Sequence, residues 1–152
     1  MGSSPKGENI TDDSKYTEFH QGKLYFTDDI VKSSNQYTKE ITKLADPNSV
    51  LLCVRAPVGE VNLTDRLLCI GRGLAAIKGF SNIQSDFLFF GLSALKNDLL
   101  LKATGTTFVA VTNDVVKNQL IPLPPLSQQV QISLKIKKLY SALKKIEESL
   151  SN

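Results

Sequence analysis

Tryptophan is absent from the 152-residue chain, and cysteine, histidine and methionine number only two, one and one. This leaves little material for a disulfide framework or a metal cluster. Cys53 and Cys69 each lie in an apolar segment without a CxxC partner, and His20 is distant from both in sequence. We therefore predict two buried, reduced thiols in a reducing, cytoplasmic compartment, with a disulfide or a metal site as the alternative.

Long hydrophobic runs are also missing. No stretch approaches the ~20 apolar residues of a membrane span, and no apolar run follows a basic start at the N-terminus. We predict no membrane partner and no secretory signal. The length, with 41% hydrophobic residues, suffices for one domain with its own core plus one further element.

Most of the chain lacks a surplus of charge. The formal net charge of +3 lies entirely in residues 127–152, which hold five lysines and two glutamates. Residues 1–126 therefore carry equal numbers of basic and acidic side chains. If this part binds nucleic acid, it must do so through the arrangement of its cations and polar groups.

Catalytic motifs are missing as well. The sequence contains no HExxH, no GxSxG, no P-loop lysine and no glycine-rich cofactor loop that opens a helix. Asp28 and Asp29 are predicted to complement a helix N-terminus. His20 is predicted to be a surface or structural residue, with a base contact as the lesser alternative. We accordingly predict a non-catalytic protein with no cofactor and no metal.

What is present is a series of short apolar segments separated by turn residues. The patterns predict an α+β fold, with a mixed, mainly antiparallel curved sheet and short helices. Predicted strands cover 22–26, 49–55, 60–63, 67–70, 74–77 and 108–111, after an extended loop at 1–22. Predicted helices begin after Thr27, span 84–102 with Ser85 as N-cap, and span 113–117.

The C-terminal segment has the most regular pattern. Apolar residues recur with alternating spacings of four and three, which is a heptad seam. Ser127, after the prolines at 122–125, is the predicted N-cap. We predict a long coiled-coil-type arm, and the alternative is a helix folded back on its own domain. The predicted helix-pairing residues are Ile132, Ile136, Leu139, Leu143, Ile146 and Leu150.

Three segments combine small polar residues with glycine. They are GSSPKG at 2–7, the glycine-flanked Arg72, and TGTT at 104–107. Their hydroxyls, backbone amides and cations are groups that contact phosphate oxygens in nucleic-acid complexes. Ordinary turn chemistry would explain any one of them alone, and the occurrence of all three favours binding.

The same segments carry a resemblance to a known family. SSPKG, VLLCVRAPVGEVN, CIGRGLAAI, TGTTF and IPLPPLSQQ occur in this order from Ser3 onwards. The series resembles one half of a type I restriction–modification specificity subunit. That resemblance implies a target-recognition domain at 1–126 and the start of a conserved spacer helix at 127–152. It also implies double-stranded DNA, methyltransferase subunits and, through the complex, restriction subunits as partners.

On this basis the domain would read one half of a bipartite DNA sequence, and pairing through the C-terminal helix would permit a homodimer. The base-reading candidates are Lys23, Tyr25 and the segments 32–39 and 62–66. A scaffold that docks partner subunits without touching DNA is the alternative, and a catalytic fragment is the least favoured. The predicted DNA-binding residues are Ser3, Ser4, Lys6, Lys23, Tyr25, Arg55, Arg72, Thr104, Thr106 and Thr107.

Overall fold

The computed structural model describes residues 1–107 and 109–151. The strands are β1 (Ile10–Thr11), β2 (Thr17–His20), β3 (Tyr37–Thr38), β4 (Leu44–Ala45), β5 (Ser49–Cys53), β6 (Val61–Thr64), β7 (Leu68–Ile70) and β8 (Leu74–Ile77). The helices are α1 (Ser85–Ala94), α2 (Lys96–Leu101), α3 (Asn113–Lys117) and α4 (Leu126–Leu150). Short 3-10 helices cover Gly7–Asn9 and Lys23–Tyr25.

The strands form two sheets. The first has the order β1-β3-β2-β7-β4, and the second has the order β6-β5-β8. Strands β2 and β7 are parallel, with Phe19 opposite Cys69, and the other named pairs are antiparallel. The predicted α+β fold with mainly antiparallel sheets and a long C-terminal helix is confirmed.

Strand β5 is buried on both faces, which explains its continuous apolar run. Leu51 and Cys53 face a cluster that includes residues of β7 and β8. Leu52 packs instead in a cluster with Leu99 of α2, and Val50 packs with Leu88 and Leu92 of α1. This strand therefore joins the sheet-facing and helix-facing parts of the core.

The two cysteines are buried and free, as predicted. Burial raises the pKa of the Cys53 thiol to about 12. A thiol with so high a pKa stays protonated at neutral pH and packs as a small apolar group.

The N-terminal third differs most from the sequence prediction. The predicted loop at 1–22 contains β1 and the central strand β2. The predicted strand at 22–26 is wrong. This segment follows the end of β2 and forms a 3-10 turn, which is closed by the bond from Phe26 N to Lys23 O (2.9 Å). The predicted helix after Thr27 is also wrong, since Asp29 and Val31 instead exchange backbone bonds with Leu63.

Asp28 and Asp29 consequently do not cap a helix. The Thr27 hydroxyl accepts from Asp29 N (3.1 Å) and donates to Ile30 O (2.7 Å), which closes a local turn. The β-branched pair that follows, Ile30 and Val31, favours the extended path beside Leu63.

The remaining helices are close to their predicted positions. The segment predicted as one helix at 84–102 is divided into α1 and α2 at Leu95. Helix α1 begins at Ser85 itself, whose hydroxyl donates to Asn48 O (2.7 Å) instead of capping. Helix α4 begins one residue before the predicted cap, directly after Pro125. Phe108, in the predicted strand 108–111, lies outside the described residues.

Candidate nucleic-acid interface

The N-terminal loop and the β7–β8 turn form one unit. Gly2 N donates to Leu74 O (2.8 Å), and Ser3 N donates to Ile70 O (3.0 Å). The Ser4 hydroxyl accepts from Arg72 N (3.2 Å), and the Thr42 hydroxyl donates to Ser3 O. A Cβ at Gly2 would lie 2.2 Å from Gly71 O, so only glycine permits this approach. Two of the three predicted polar segments are therefore in contact.

A shallow cleft of about 200 Å³ adjoins this unit. Gly73 forms one wall, and its carbonyl accepts from Val54 N (2.9 Å). Arg55 is exposed and lines the cleft together with Lys23. Lys23 Nζ lies 3.7 Å from a Glu60 carboxylate oxygen, while Arg55 and Arg72 have no acidic partner among the described residues. The lining residues are Gln21, Gly22, Lys23, Cys53, Arg55, Ala56, Pro57 and Gly73.

The third polar segment reaches the same surface through Ala110. Thr104 and Ala110 exchange two backbone hydrogen bonds (2.9 and 3.0 Å), and Ala110 also forms a bridge with Arg55. Thr104, Thr106 and Thr107 are all exposed. A continuous series of contacts thus joins the segments at 2–4, 71–73, 55 and 104. We call this surface the polar face.

Two of the predicted DNA-binding residues have other surroundings. Lys6 is exposed, and its backbone N–H donates to Glu40 Oε2 (3.2 Å), which connects it to the loop after β3. Tyr25 is half-buried against the core and lies edge-on to the His20 ring, with 5.7 Å between ring centroids. Nothing in these contacts brings either side chain to the polar face.

A buried ionic cluster was missed by sequence reasoning. Arg66 Nε and Nη2 donate to the two carboxylate oxygens of Glu18 (2.7 and 3.0 Å). His20 Nε2 lies 2.9 Å from Glu18 Oε1 and donates to it in the neutral tautomer. The only available clue was the alternation of polar and apolar residues in Thr17–His20, which places Glu18 and His20 on one face of a strand.

The cluster shifts the pKa of both titratable groups. Burial alone would raise the pKa of Glu18, but hydrogen bonds from Arg66, Ser34 and His20 outweigh it and lower the pKa to about 2. Burial lowers the pKa of His20 against the opposing attraction of Glu18. The prediction of a structural role for His20 is confirmed, since its residue is 1% exposed.

The two segments predicted to read bases differ in accessibility. Asn62 is 0% exposed, and its amide bonds both backbone groups of Thr27, so the prediction is wrong for this residue. In the segment 32–39, by contrast, Lys32, Ser33, Asn35 and Gln36 are exposed. Only this second segment presents several polar side chains to solvent.

Helix α4 contacts its own domain along one face. Gln129 is buried and bridges Gln84 N (3.0 Å) and Pro124 O (2.9 Å). Further along, Lys137 bonds Asp86 (2.7 Å), and Tyr140 stacks on Phe90.

The predicted pairing stripe lies roughly a quarter-turn around the helix from this docking face at ~100° per residue. Leu139 and Leu143 are each 56% exposed, and Leu150 is 81% exposed. The stripe is therefore not used by the domain itself.

Neither a metal site nor a membrane-spanning helix is found among the described residues. Within residues 1–107 and 109–151, no group of three His, Cys, Asp or Glu side chains is arranged to hold a metal ion. In the same part of the chain, no helix is long and apolar enough to span a membrane.

The sequence matches the family described as type I restriction modification DNA specificity domain over residues 1–152. The chain belongs to this family. The resemblance inferred from the ordered motifs is thereby confirmed. A DNA-recognition role is favoured for this specificity domain over a scaffold that does not touch DNA.

Relatives and solved structures agree with the assignment. The specificity domain is 37% identical over 138 residues to the putative type I restriction enzyme MjaX specificity subunit of Methanocaldococcus jannaschii, covering 90% of this chain and 32% of that protein. It is similar to the HsdS subunit from Thermoanaerobacter tengcongensis, with a TM-score of 0.86, 30% identity, and coverage of 98% and 36%.

A second solved chain comes from work on complex assembly and conformational transition of the type I R-M system. It gives a TM-score of 0.88 at 32% identity, with coverage of 98% of this chain and 37% of that one. The specificity domain therefore spans about a third of the length of these relatives.

Proposed function

We propose that the specificity domain reads one half of a bipartite DNA target and contributes no catalytic residue of its own. Residues 1–126 would form the target-recognition domain, and residues 127–152 would form a spacer helix. Acting on cellular DNA, it would work in the cytoplasm with methyltransferase subunits and, through the complex, with restriction subunits. The polar face is the single observation that carries this proposal.

The polar face has the composition of a phosphate-binding surface. Exposed hydroxyls on the segments at 2–7 and 104–107 accompany two exposed arginines, Arg55 and Arg72, that have no acidic partner among the described residues. Such groups fix a protein on the duplex backbone without reading sequence. We propose phosphate contacts for Ser3, Ser4, Arg55, Arg72, Thr104, Thr106 and Thr107, with Lys23 at the cleft as a base-reading candidate. Lys6 and Tyr25 are not part of this proposal, because their contacts lie elsewhere.

We further propose that the stripe on α4 pairs with a second helix. Five apolar side chains of the stripe are at least 40% exposed, which is costly unless a partner covers them. A second copy of the chain could supply that partner, with Ile132, Ile136, Leu139, Leu143, Ile146 and Leu150 facing their equivalents.

The DNA proposal is tested by measuring affinity for duplex DNA as a function of salt. We expect the affinity to fall steeply with ionic strength, because bound phosphates release counterions. Arg72→Ala should weaken binding similarly for all sequences and reduce the slope of log affinity against log salt by about one.

Lys138→Ala is the matched control, since it removes an exposed cation from α4 outside the polar face. It should leave both affinity and slope nearly unchanged. A wild-type protein whose affinity does not depend on salt, or an Arg72→Ala effect confined to one base position, would contradict the phosphate role.

A further inference from the structure

We infer that Glu18 and Arg66 are positioning residues for sequence discrimination, because together they fix the loop Val31–Gln36 in the conformation that reads bases. We call residues 31–36 the reading loop. The inference rests on the proposed function, since it concerns how the same domain would discriminate among DNA sequences.

The reading loop is attached to the ionic cluster at two points. Ser34 N donates to Glu18 Oε1 (2.8 Å), and Arg66 Nη1 donates to Val31 O (3.0 Å). Because the Arg66 guanidinium also grips the Glu18 carboxylate with two further nitrogens, the two attachment points form one rigid unit. Removal of either charge would weaken both attachment points, while the backbone bonds from Val31 N to Leu63 O and from Phe19 N to Gln36 O would remain.

The side chains of the reading loop divide by direction. Val31 and Ser34 are buried at 1% and 3% exposure, whereas the residues between and after them are exposed. Among the described residues, the side-chain nitrogen of Lys32 and the side-chain amide of Gln36 have no hydrogen-bond or ionic partner. Lysine suits guanine edges, and asparagine and glutamine suit adenine edges. The outward set, Lys32, Asn35 and Gln36, thus has the chemistry of direct readout.

Strand register relates one end of the reading loop to the polar face. Glu18 pairs with Tyr37, and Phe19 N donates to Gln36 O (2.8 Å), so Gln36 lies beside the carboxyl end of β2. Strand β7 is parallel to β2, and its carboxyl end leads to Gly71, whose N–H donates to His20 O (2.7 Å). Gln36 and the β7–β8 turn therefore lie towards the same end of the sheet, while Val31 bonds Arg66 before the start of β7.

A buried ion pair is a weak device for stability alone, since the cost of desolvation offsets much of the Coulomb attraction. Its better-attested use is to select one arrangement of the groups around it. Here the Glu18 side chain is 11% exposed and the charged fork has a fixed geometry. Apolar residues of the same volume could fill the space, but they could not bond Ser34 N and Val31 O.

The test begins with wild-type protein and a pool of DNA duplexes with randomised positions. The enriched duplex and a scrambled one are then used as probes, and the ratio of their Kd values measures discrimination. We expect Glu18→Gln to lower this ratio about tenfold, which is the order of discrimination at one base pair. Its affinity for the scrambled duplex should change less than about threefold, because the polar face is intact.

Two further variants separate positioning from general destabilisation. Leu99→Ala removes a buried side chain from a core cluster that does not contact the reading loop, and it should lower the thermal midpoint without lowering the ratio. Asn35→Ala leaves the core untouched and should lose discrimination at the base positions that Glu18→Gln affects. It also serves if Glu18→Gln does not fold.

Three results would overturn the inference: an unchanged ratio in a folded Glu18→Gln variant, an equal loss in Leu99→Ala, or an unaltered sequence profile in Asn35→Ala. Failure of the proposed function looks different. In that case the wild-type protein itself would enrich no sequence from the pool.

Discussion

The carboxylate of Glu18 binds groups from three separate parts of the chain. Arg66, Ser34 and His20 all converge on it, and its pKa falls to about 2 as a result. The His20 ring is less well satisfied than the Glu18 carboxylate, because its buried Nδ1 has no hydrogen-bond partner among the described residues. At the scale of single residues, this cluster therefore holds two groups whose protonation at neutral to acidic pH differs between the folded and the unfolded chain.

The first prediction is that stability falls as the pH drops below about 6.5. The pKa of His20 is lower in the folded protein than its ordinary 6.5, so the unfolded chain takes up a proton first. The contribution of neutral His20 to the free energy of unfolding is therefore present above pH 6.5 and is lost as the pH falls below it. Glu18 adds a second loss as the pH falls from its ordinary 4.5 towards 2.

Urea unfolding at pH 7.5 and pH 5.5 checks the first window. The wild-type protein should lose more stability than His20→Gln between these values, by at most about 1.4 kcal/mol, since glutamine keeps an amide donor and does not titrate. Equal losses in the two proteins would show that His20 is not the responsible group. Glu18→Gln should remove the loss below pH 4.5 and enlarge the loss below pH 6.5, because the Glu18 charge no longer opposes the effect of burial on the pKa of His20.

At the scale of elements, a strand or helix could be predicted when its own residues explain its structure, and not when distant pairing partners do. Strands β5 and β8 and helices α3 and α4 have patterns that their own residues explain, and the sequence predicts them well. Strand β2 has only one buried apolar residue, and its pairing with β3 and β7 gives it its structure. Local propensity cannot reveal such an element, because the partners come from distant parts of the chain.

The same distinction applies to the polar face. Glycine, serine and arginine in short motifs led to the prediction of binding segments, and backbone bonds between distant strands bring these segments together. The ionic cluster could not be predicted, since Glu18 and Arg66 are 48 residues apart and neither lies in a motif. Asn62 shows the converse, because a polar residue in a plausible binding segment serves the core.

Helix α4 leads to the second prediction, which concerns its two faces. Polar and ionic contacts fix the face of Gln129 and Lys137 on the domain, and the apolar stripe remains exposed. The double substitution Leu139→Gln and Leu143→Gln should therefore abolish self-association while the domain stays folded. Each substitution removes apolar surface that would be buried between the two helices, and it leaves the core of the domain unchanged.

Sedimentation equilibrium over a range of concentrations measures this effect. The wild-type chain is expected to dimerise, and the double variant is expected to be monomeric with an unchanged thermal midpoint. Lys138→Ala with Lys145→Ala is the matched control, because it changes two exposed residues of the same helix on another face. A wild-type chain that stays monomeric at all concentrations would contradict the homodimer proposal, and the DNA proposal would be unaffected.

At the scale of the whole molecule, the net positive charge belongs to the C-terminal segment 127–152 and not to the part proposed to bind DNA. Residues 1–126 have no surplus charge, so long-range attraction to DNA from this part is weak. Binding would depend on the local arrangement of Arg55, Arg72 and the surrounding hydroxyls. A single copy would thus hold DNA modestly, and joining two copies would raise the affinity through effective concentration.

The third prediction follows from that argument. Two copies joined through α4 in a closed pair are related by a two-fold axis, so each would meet the same half-site in the opposite orientation. Selection from a randomised duplex pool should then return an inverted repeat with one fixed spacing. The Leu139→Gln, Leu143→Gln variant should return the same half-site singly and with lower affinity, because its recognition domain is unchanged. A direct repeat would instead require a head-to-tail arrangement, which a stripe that pairs with its own copy about a two-fold axis cannot produce.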